Sequence, residues 1–172
     1  MSSELFMQML APAGGERILD IGAGRGKVAA QVMKSSGGEI YAVEPNGKRL
    51  ESMKKEFPAI KSSLAGAESL PFADSYFDKA YATMALHHFS DLDRALREVA
   101  RVLKPGGSFI VLEVEPDSRL GSLFRIFGRV IGERMGMLTR EQLQGRLESV
   151  GGFRVVRSEG RGSRYLIQAS RT

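Results

Sequence analysis

Residues 17–28 read Arg-Ile-Leu-Asp-Ile-Gly-Ala-Gly-Arg-Gly-Lys-Val, an apolar strand-like run that breaks into a turn with glycine at alternate positions, Gly22, Gly24 and Gly26. Residues without a Cβ tolerate φ > 0 and let backbone approach another group closely, so this segment is a tight passage from a strand into a helix. Such a unit belongs to a fold in which strands and helices alternate along the chain.

The turn does not match the common phosphate-binding loops. A dinucleotide fingerprint needs G-x-G-x-x-G, whereas the third glycine here comes one residue early and Lys27 takes its place. A Walker loop needs Ser or Thr after Gly-Lys, and Val28 follows instead. Asp20, just ahead of the glycines, would repel a pyrophosphate and attract a ligand that carries an ammonium group beside its adenosine. That chemistry points to S-adenosylmethionine rather than NAD. A tight turn that binds nothing is the plain alternative.

The rest of the chain continues the alternation. Strand-like runs fall at 17–21, 40–44, 60–65, 77–82 and 108–114, with helical patterns at 27–34, 47–57 and 92–103 between them. Leu92, Ala95, Leu96, Val99, Val102 and Leu103 recur at three- and four-residue spacing, one buried helical face, and Lys104-Pro-Gly-Gly107 stops that helix. A further helix over 139–150 starts at Thr139 as N-cap with Glu141 and Gln142 in its first turn. Two last strands, near 153–158 and 165–169, are joined by a Gly/Ser turn. The expected architecture is α/β: a doubly wound, mostly parallel seven-stranded sheet that ends in an antiparallel hairpin. At 172 residues the chain is expected to be a single domain over 1–172, with a short helical arm over 1–15 and an inserted lid or substrate segment over 117–138.

Composition removes several chemistries. With no cysteine there is neither a disulfide nor a thiolate nucleophile, and two adjacent histidines are too few for a histidine-based metal cluster, so no metal site is expected. No apolar run approaches the ~20 residues that span a bilayer. The start, which carries Glu4 and no basic stretch, does not read as a secretory signal, so a cytoplasmic location is the default expectation. Charge is uneven: residues 1–114 balance at 14 Lys/Arg against 14 Asp/Glu, while residues 115–172 hold 11 Arg, no Lys and six acids. An Arg-rich third of this kind suits an anionic partner, a membrane surface or plain solvation.

Five motifs in order are similar to the class I S-adenosylmethionine-dependent methyltransferases, small-molecule (ubiquinone/menaquinone-biosynthesis-like) branch: Leu19-Asp-Ile-Gly-Ala-Gly-Arg-Gly26, Ala42-Val-Glu-Pro45, Ala67-Glu-Ser-Leu-Pro-Phe72, Phe77-Asp-Lys-Ala-Tyr81 continuing to Leu86-His-His88, and Val102-Leu-Lys-Pro-Gly-Gly107. The resemblance runs from about residue 16 to 113 and implies a Rossmann-like fold with S-adenosylmethionine as cofactor and S-adenosylhomocysteine as product. It implies a cofactor site made of Asp20, Gly22, Ala23, Gly24, Glu44, Pro45, Gly66, Ala67, Glu68 and Thr83. Glu44, at the end of the second strand, has the acceptors for two ribose hydroxyls. Pro45 would flank the adenine and Thr83 would meet the methionine half. Relatives usually read Gly-Asp-Ala-Glu after the third strand, where this chain has Ala65-Gly-Ala-Glu68; the Asp that would bond the adenine amino group is Gly66, so that contact is lost or passes to backbone or Glu68. Losing one hydrogen bond of ~1 kcal/mol weakens affinity several-fold without abolishing it.

Methyl transfer needs a base only when the acceptor arrives protonated, and His87 and His88 are the candidates near neutrality. Their alternative is to cap the next helix or pack under the lid. Glu113 and Glu115 share one side of the fifth strand, to meet substrate or form ion pairs. Leu120, Leu123, Phe124, Phe127, Val130 and Ile131 make an apolar helical stripe with Arg119, Arg125, Arg129 and Arg134 alongside, which suggests a small apolar or anionic acceptor, or a weak hold on a membrane surface. Alternatives are RNA or protein methylation, and a non-catalytic S-adenosylmethionine-binding or partner-binding module. Nucleic acid is argued down by the absence of an Asn/Asp-Pro-Pro-Tyr/Phe motif at Ala82-Thr-Met-Ala-Leu86. The short N-terminal arm leaves room for a homodimer to complete the site. A branched side chain at Gly22 is expected to intrude on the cofactor while leaving the fold intact.

Overall fold

The computed structural model describes residues 3–130 and 136–172. Its elements are α1 (Ser3–Leu10), β1 (Arg17–Ile21), α2 (Lys27–Ser36), β2 (Glu39–Val43), α3 (Gly47–Glu56), β3 (Lys61–Ser63), β4 (Phe77–Thr83), a single 3-10 turn (Leu86–His88), α4 (Leu92–Val102), β5 (Leu103–Val114), α5 (Arg119–Val130), α6 (Arg140–Ser149), β6 (Phe153–Arg161) and β7 (Arg164–Arg171). The seven strands form one sheet in the order β3-β2-β1-β4-β5-β7-β6, parallel except for β7, which runs antiparallel to both β5 and β6. The doubly wound, mostly parallel sheet with a closing antiparallel hairpin is therefore the observed fold.

Alternation along each strand sends side chains to two cores. Leu19, Ile21, Ala82, Phe109 and Ile167 pack with Leu96 and Val99 of α4 and Leu143 and Leu147 of α6 on one face. On the other, Ile18, Ile40, Tyr81, Ile110 and Leu166 meet Phe6 of α1, Val32 of α2 and Leu50 and Met53 of α3. Helix starts follow local chemistry: Asn46 and Asp91 accept from the backbone of Arg49 and Arg94, and Thr139 and Gln142 form the reciprocal capping box expected at α6.

Several strand boundaries differ from the sequence reading, and two of them have a plain physical reason. β3 has three residues rather than six, because Leu64, beyond its end on the outermost strand, is 63% exposed and has nothing to pack on. β5 starts at Leu103, not after the glycines: Leu103 already pairs with Phe77, and a register shift absorbs Pro105 and the glycines before Ser108 pairs with Lys79. The N-terminal arm is helical over Ser3–Leu10. Of the segment expected to form a lid, residues 131–135 and the side chains of Arg125, Phe127, Arg129 and Val130 lie outside the described residues. No helix among the described residues is long and apolar enough to cross a membrane.

The chain runs β1 to β2 to β3 outward, then returns to lay β4 against the other side of β1. In open α/β sheets the crevice at such a reversal, outside the carboxyl ends of the strands, is where ligands bind.

Candidate active site

A cleft of about 980 Å³ opens at that reversal, floored by the ends of β1 and β4 and walled by the segments after β2 and β3. It is large enough for a nucleoside-sized ligand with an acceptor beside it. Gly22, Ala23, Gly24, Glu44, Pro45, Gly66, Ala67, Glu68, Thr83 and His88 all line it. Asp20 and His87 do not.

The glycine turn is built from the strand ends upward. The N–H groups of Gly22 and Ala23 both donate to the carbonyl of Val43, at 2.9 and 3.0 Å, and that of Gly26 donates to Ala23. The Gly24 amide donates to Glu44 Oε2 at 2.8 Å, while Glu44 Oε1 accepts from the Asn46 amide at 3.0 Å. One buried carboxylate thus pins the turn after β1 to the turn after β2. Because these amides are spent inside the protein, the turn offers few bare donors to a pyrophosphate, in keeping with the sequence argument against a dinucleotide. Each Glu44 oxygen still has a lone pair for a ligand hydroxyl.

Why glycine stands at 22 is a correction to the sequence expectation. A Cβ at Gly22 would lie 2.7 Å from the Cβ of Ala85, and its φ of 74° is strained for any branched residue. A valine there collides with the cleft floor, so the substitution damages the fold rather than selectively blocking the ligand. Gly26 makes a comparable close approach, to Met53 of α3.

Asp20 sits beneath the turn. It pairs in register with Tyr81 of β4, is 1% exposed, and neither of its oxygens has a hydrogen-bond partner. Burial pushes its carboxyl up to about 7; the nearby Tyr81 hydroxyl works against this, and the negative charge of Glu44 adds to it. Tyr81 itself is raised, first by its own burial.

Glu68 ties the third wall to α4. Its Oε1 accepts from the amide and the hydroxyl of Ser90, at 2.8 and 2.9 Å. Burial works to raise this carboxyl, but bonds from its own amide and from Ser90 and Asp91 outweigh it and hold the pKa below the usual value. Its Oε2 lies 2.9 Å from where a Cβ on Gly66 would stand, so the glycine leaves the space that this carboxylate occupies.

The two histidines part company. His88 is exposed on the cleft wall, whereas His87 is 4% exposed and turned inward. His87 Nδ1 lies 2.9 Å from Glu113 Oε2, and Glu113 Oε1 accepts from the Leu86 amide at 2.8 Å. The His87 ring is 4.2 Å from that of His88 and 6.1 Å, edge to face, from Phe124 of α5, and its carbonyl accepts from Gly136. His87 therefore joins β5, the cleft wall and α5. The alternative expectation for it, packing under the inserted segment, describes its surroundings.

Sequence reasoning missed Met84, which lines the cleft with a φ of 55° and hands its N–H to Leu112. A non-glycine residue in that region stores strain, and nothing in its residue type announces it.

A family model described as "Methyltransferase domain" matches residues 19–111. The chain belongs to the S-adenosylmethionine-dependent methyltransferase family. An O-methyltransferase of Aspergillus sclerotiorum is 31% identical over 147 residues, 77% of this chain and 56% of that protein. A ubiquinone/menaquinone biosynthesis C-methyltransferase of Rubrivivax gelatinosus is 32% identical over 76% of this chain and 53% of its own length, and an uncharacterised methyltransferase of Mycobacterium tuberculosis is 37% identical over 72% and 49%. The chain spans about half the length of the curated relatives it matches. Among solved structures, a methyltransferase of Mesorhizobium loti superposes with a TM-score of 0.84 at 21% identity, covering 98% of this chain and 96% of that one. A geranyl diphosphate C-methyltransferase of Streptomyces coelicolor, solved with S-adenosyl-L-homocysteine, gives 0.82 at 16% identity, over 98% and 79%. These last two speak for the fold alone.

Proposed function

We propose that this chain transfers a methyl group from S-adenosylmethionine to oxygen or carbon of a small organic acceptor. The observation that carries the reading is the cleft at the β1/β4 reversal, lined by Glu44, the glycine turn and His88. The residues present suit the cofactor. Glu44 is buried yet retains acceptor capacity for ribose hydroxyls, and the amides of Gly22, Ala23, Gly24 and Gly26 are already satisfied. Pro45 and the Gly66–Ala67–Glu68 wall would hold the base, and Thr83 the amino-acid half. When bound, the cofactor supplies an electrophilic methyl on a sulfonium centre.

What the protein's own groups then do is position and deprotonate. His88, the titratable ring open to the cleft, would accept the proton of a hydroxyl acceptor. His87 acts as a positioning residue: the Glu113 carboxyl group fixes its ring through Nδ1, and His87 in turn braces His88 and Phe124. The O- and C-methyltransferases among the relatives support a small-molecule acceptor.

Isothermal calorimetry with S-adenosylhomocysteine tests the cofactor half. Glu44→Ala frees the Gly24 and Asn46 amides and removes the ribose acceptor, and is expected to weaken binding by about tenfold or more. Binding by the variant equal to the parent's, or no heat from the parent, sinks the reading. Release of S-adenosylhomocysteine across a panel of phenols and enolisable ketones tests the acceptor half.

A further inference from the structure

α5 buries the wrong amount of its apolar surface for a helix that only packs on the sheet. Its inner side is set by Gly121, pressed against the carbonyls of Glu115 and Pro116, and by the half-buried Leu120 and Phe124. At about 100° per residue, Leu123 and Ile126 point about 105° and about 165° away from that side, and each is 60% exposed. They are two of the four exposed large hydrophobic residues among those described, and they sit one turn apart on one helix.

Basic groups gather where this helix begins. The Glu115 amide donates to the carbonyl of Ser163 at 3.0 Å, which seats the β6–β7 turn against the entry to α5. That turn presents Arg161 and Arg164, both exposed, and Arg119 is exposed on the first turn of α5. The acids nearby are Glu115, half-buried, Asp117, and Glu141, which is ion-paired with Arg140. In the chain as a whole, the excess of positive charge falls entirely within residues 115–172 and is carried by arginine alone.

We propose that the outward face of α5, Leu123 and Ile126 with Arg119, Arg161 and Arg164 around its entry, docks this protein on an anionic membrane surface. A helix with an apolar face and a guanidinium surround lies flat at the lipid interface, its side chains among the acyl ends and its cations on the phosphates. A second copy of this chain fits the face poorly, since a two-fold contact would bring two surfaces of the same positive sign together. A nucleic acid would leave the two aliphatic side chains without an apolar partner. Phe124, on the inner side of the same helix, packs edge to face on His87, which in turn packs on His88 of the cleft wall, so one helix carries both the docking face and a contact to the cleft wall.

Flotation with phosphatidylcholine vesicles, alone or containing about 30% phosphatidylglycerol, reads the proposal without any cofactor. The full chain is expected to float with the anionic vesicles only, and to be released as salt rises. Leu123→Asp/Ile126→Asp, at exposed positions that leave the cores intact, should lower the bound fraction at least about tenfold. Arg161→Gln/Arg164→Gln should lower it and flatten the salt dependence. Failure of the parent to bind anionic vesicles at low salt overturns the proposal. So does undiminished binding of the double Asp variant, or a parent dimer that this variant turns into a monomer. Calorimetry with S-adenosylhomocysteine separates the two claims. Vesicle binding without cofactor binding leaves the surface standing and removes the methyl-transfer reading, and the converse removes only the surface.

Discussion

Asp20 shows how a residue legible in sequence takes on a different character once folded. Its position before the glycines marked it as a charge facing the ligand, yet it lies under the turn with both oxygens unpartnered, and its neighbour in register, Tyr81, could not be inferred from spacing. The folded carboxyl, at about 7, lies above its ordinary value of 3.8, so the folded state holds its proton over a range where the unfolded chain has lost it. Its contribution is then fully present below about pH 4 and is lost as pH rises towards about 7, by an amount on the order of 4 kcal/mol. Asp20→Asn removes that term. Urea unfolding of the two proteins across this interval should show the parent losing stability relative to the variant as pH rises; parallel curves would mean that Asp20 is not held protonated. Glu44 was read more fully, as a ligand acceptor at a strand end, but its second duty of clamping the glycine turn depends on a fold that brings residues 24, 44 and 46 together.

Among the elements, helices with a strong apolar stripe were the plainest to read. α4 ends at Val102, one residue from expectation, because Leu96, Val99 and Val102 have one place to go. What periodicity does not carry is how the segment between β3 and β4 is held. Arg101 of α4 does this work: its guanidinium donates to the carbonyls of Leu70 and Phe72 and to Asp74, while Glu98 accepts from the Leu70 amide. Together with Glu68 at Ser90, these bonds strap the cleft's third wall to α4. Arg101→Met keeps the aliphatic stem and loses every donor. With the side chain 31% exposed, solvent replaces part of the loss, so about 1–2 kcal/mol of stability should go. S-adenosylhomocysteine affinity should fall with it, a pairing that thermal melts and calorimetry on the same variant would check.

At the scale of the whole molecule, the class of sheet was readable and part of its order was readable in hindsight. Tyr165-Leu-Ile167 is buried on both faces, which belongs to an interior strand, whereas β6 is buried only at Phe153, is exposed at Arg154, Val156 and Arg157, and belongs at an edge. The hairpin therefore enters the sheet by its second strand, and β7 covers β5 over seven residue pairs from Ser108 to Val114. Neither core closes without it, since Ile167 belongs to one and Leu166 to the other. A chain ending at residue 150 is expected to lose the single cooperative thermal transition of the full protein; a sharp melt from it would show that the hairpin is an accessory.

Gly66 and Glu68 have a bearing on how this protein could change over generations. The space beside Gly66 is taken by a carboxylate that the first residues before α4 hold in place. An aspartate introduced at position 66 meets the Oε2 tip of that carboxylate, in both volume and charge, and gains room when the tip turns aside while Oε1 stays on Ser90. The two positions are thus coupled: the effect of a side chain at 66 depends on which way the Glu68 carboxylate is turned.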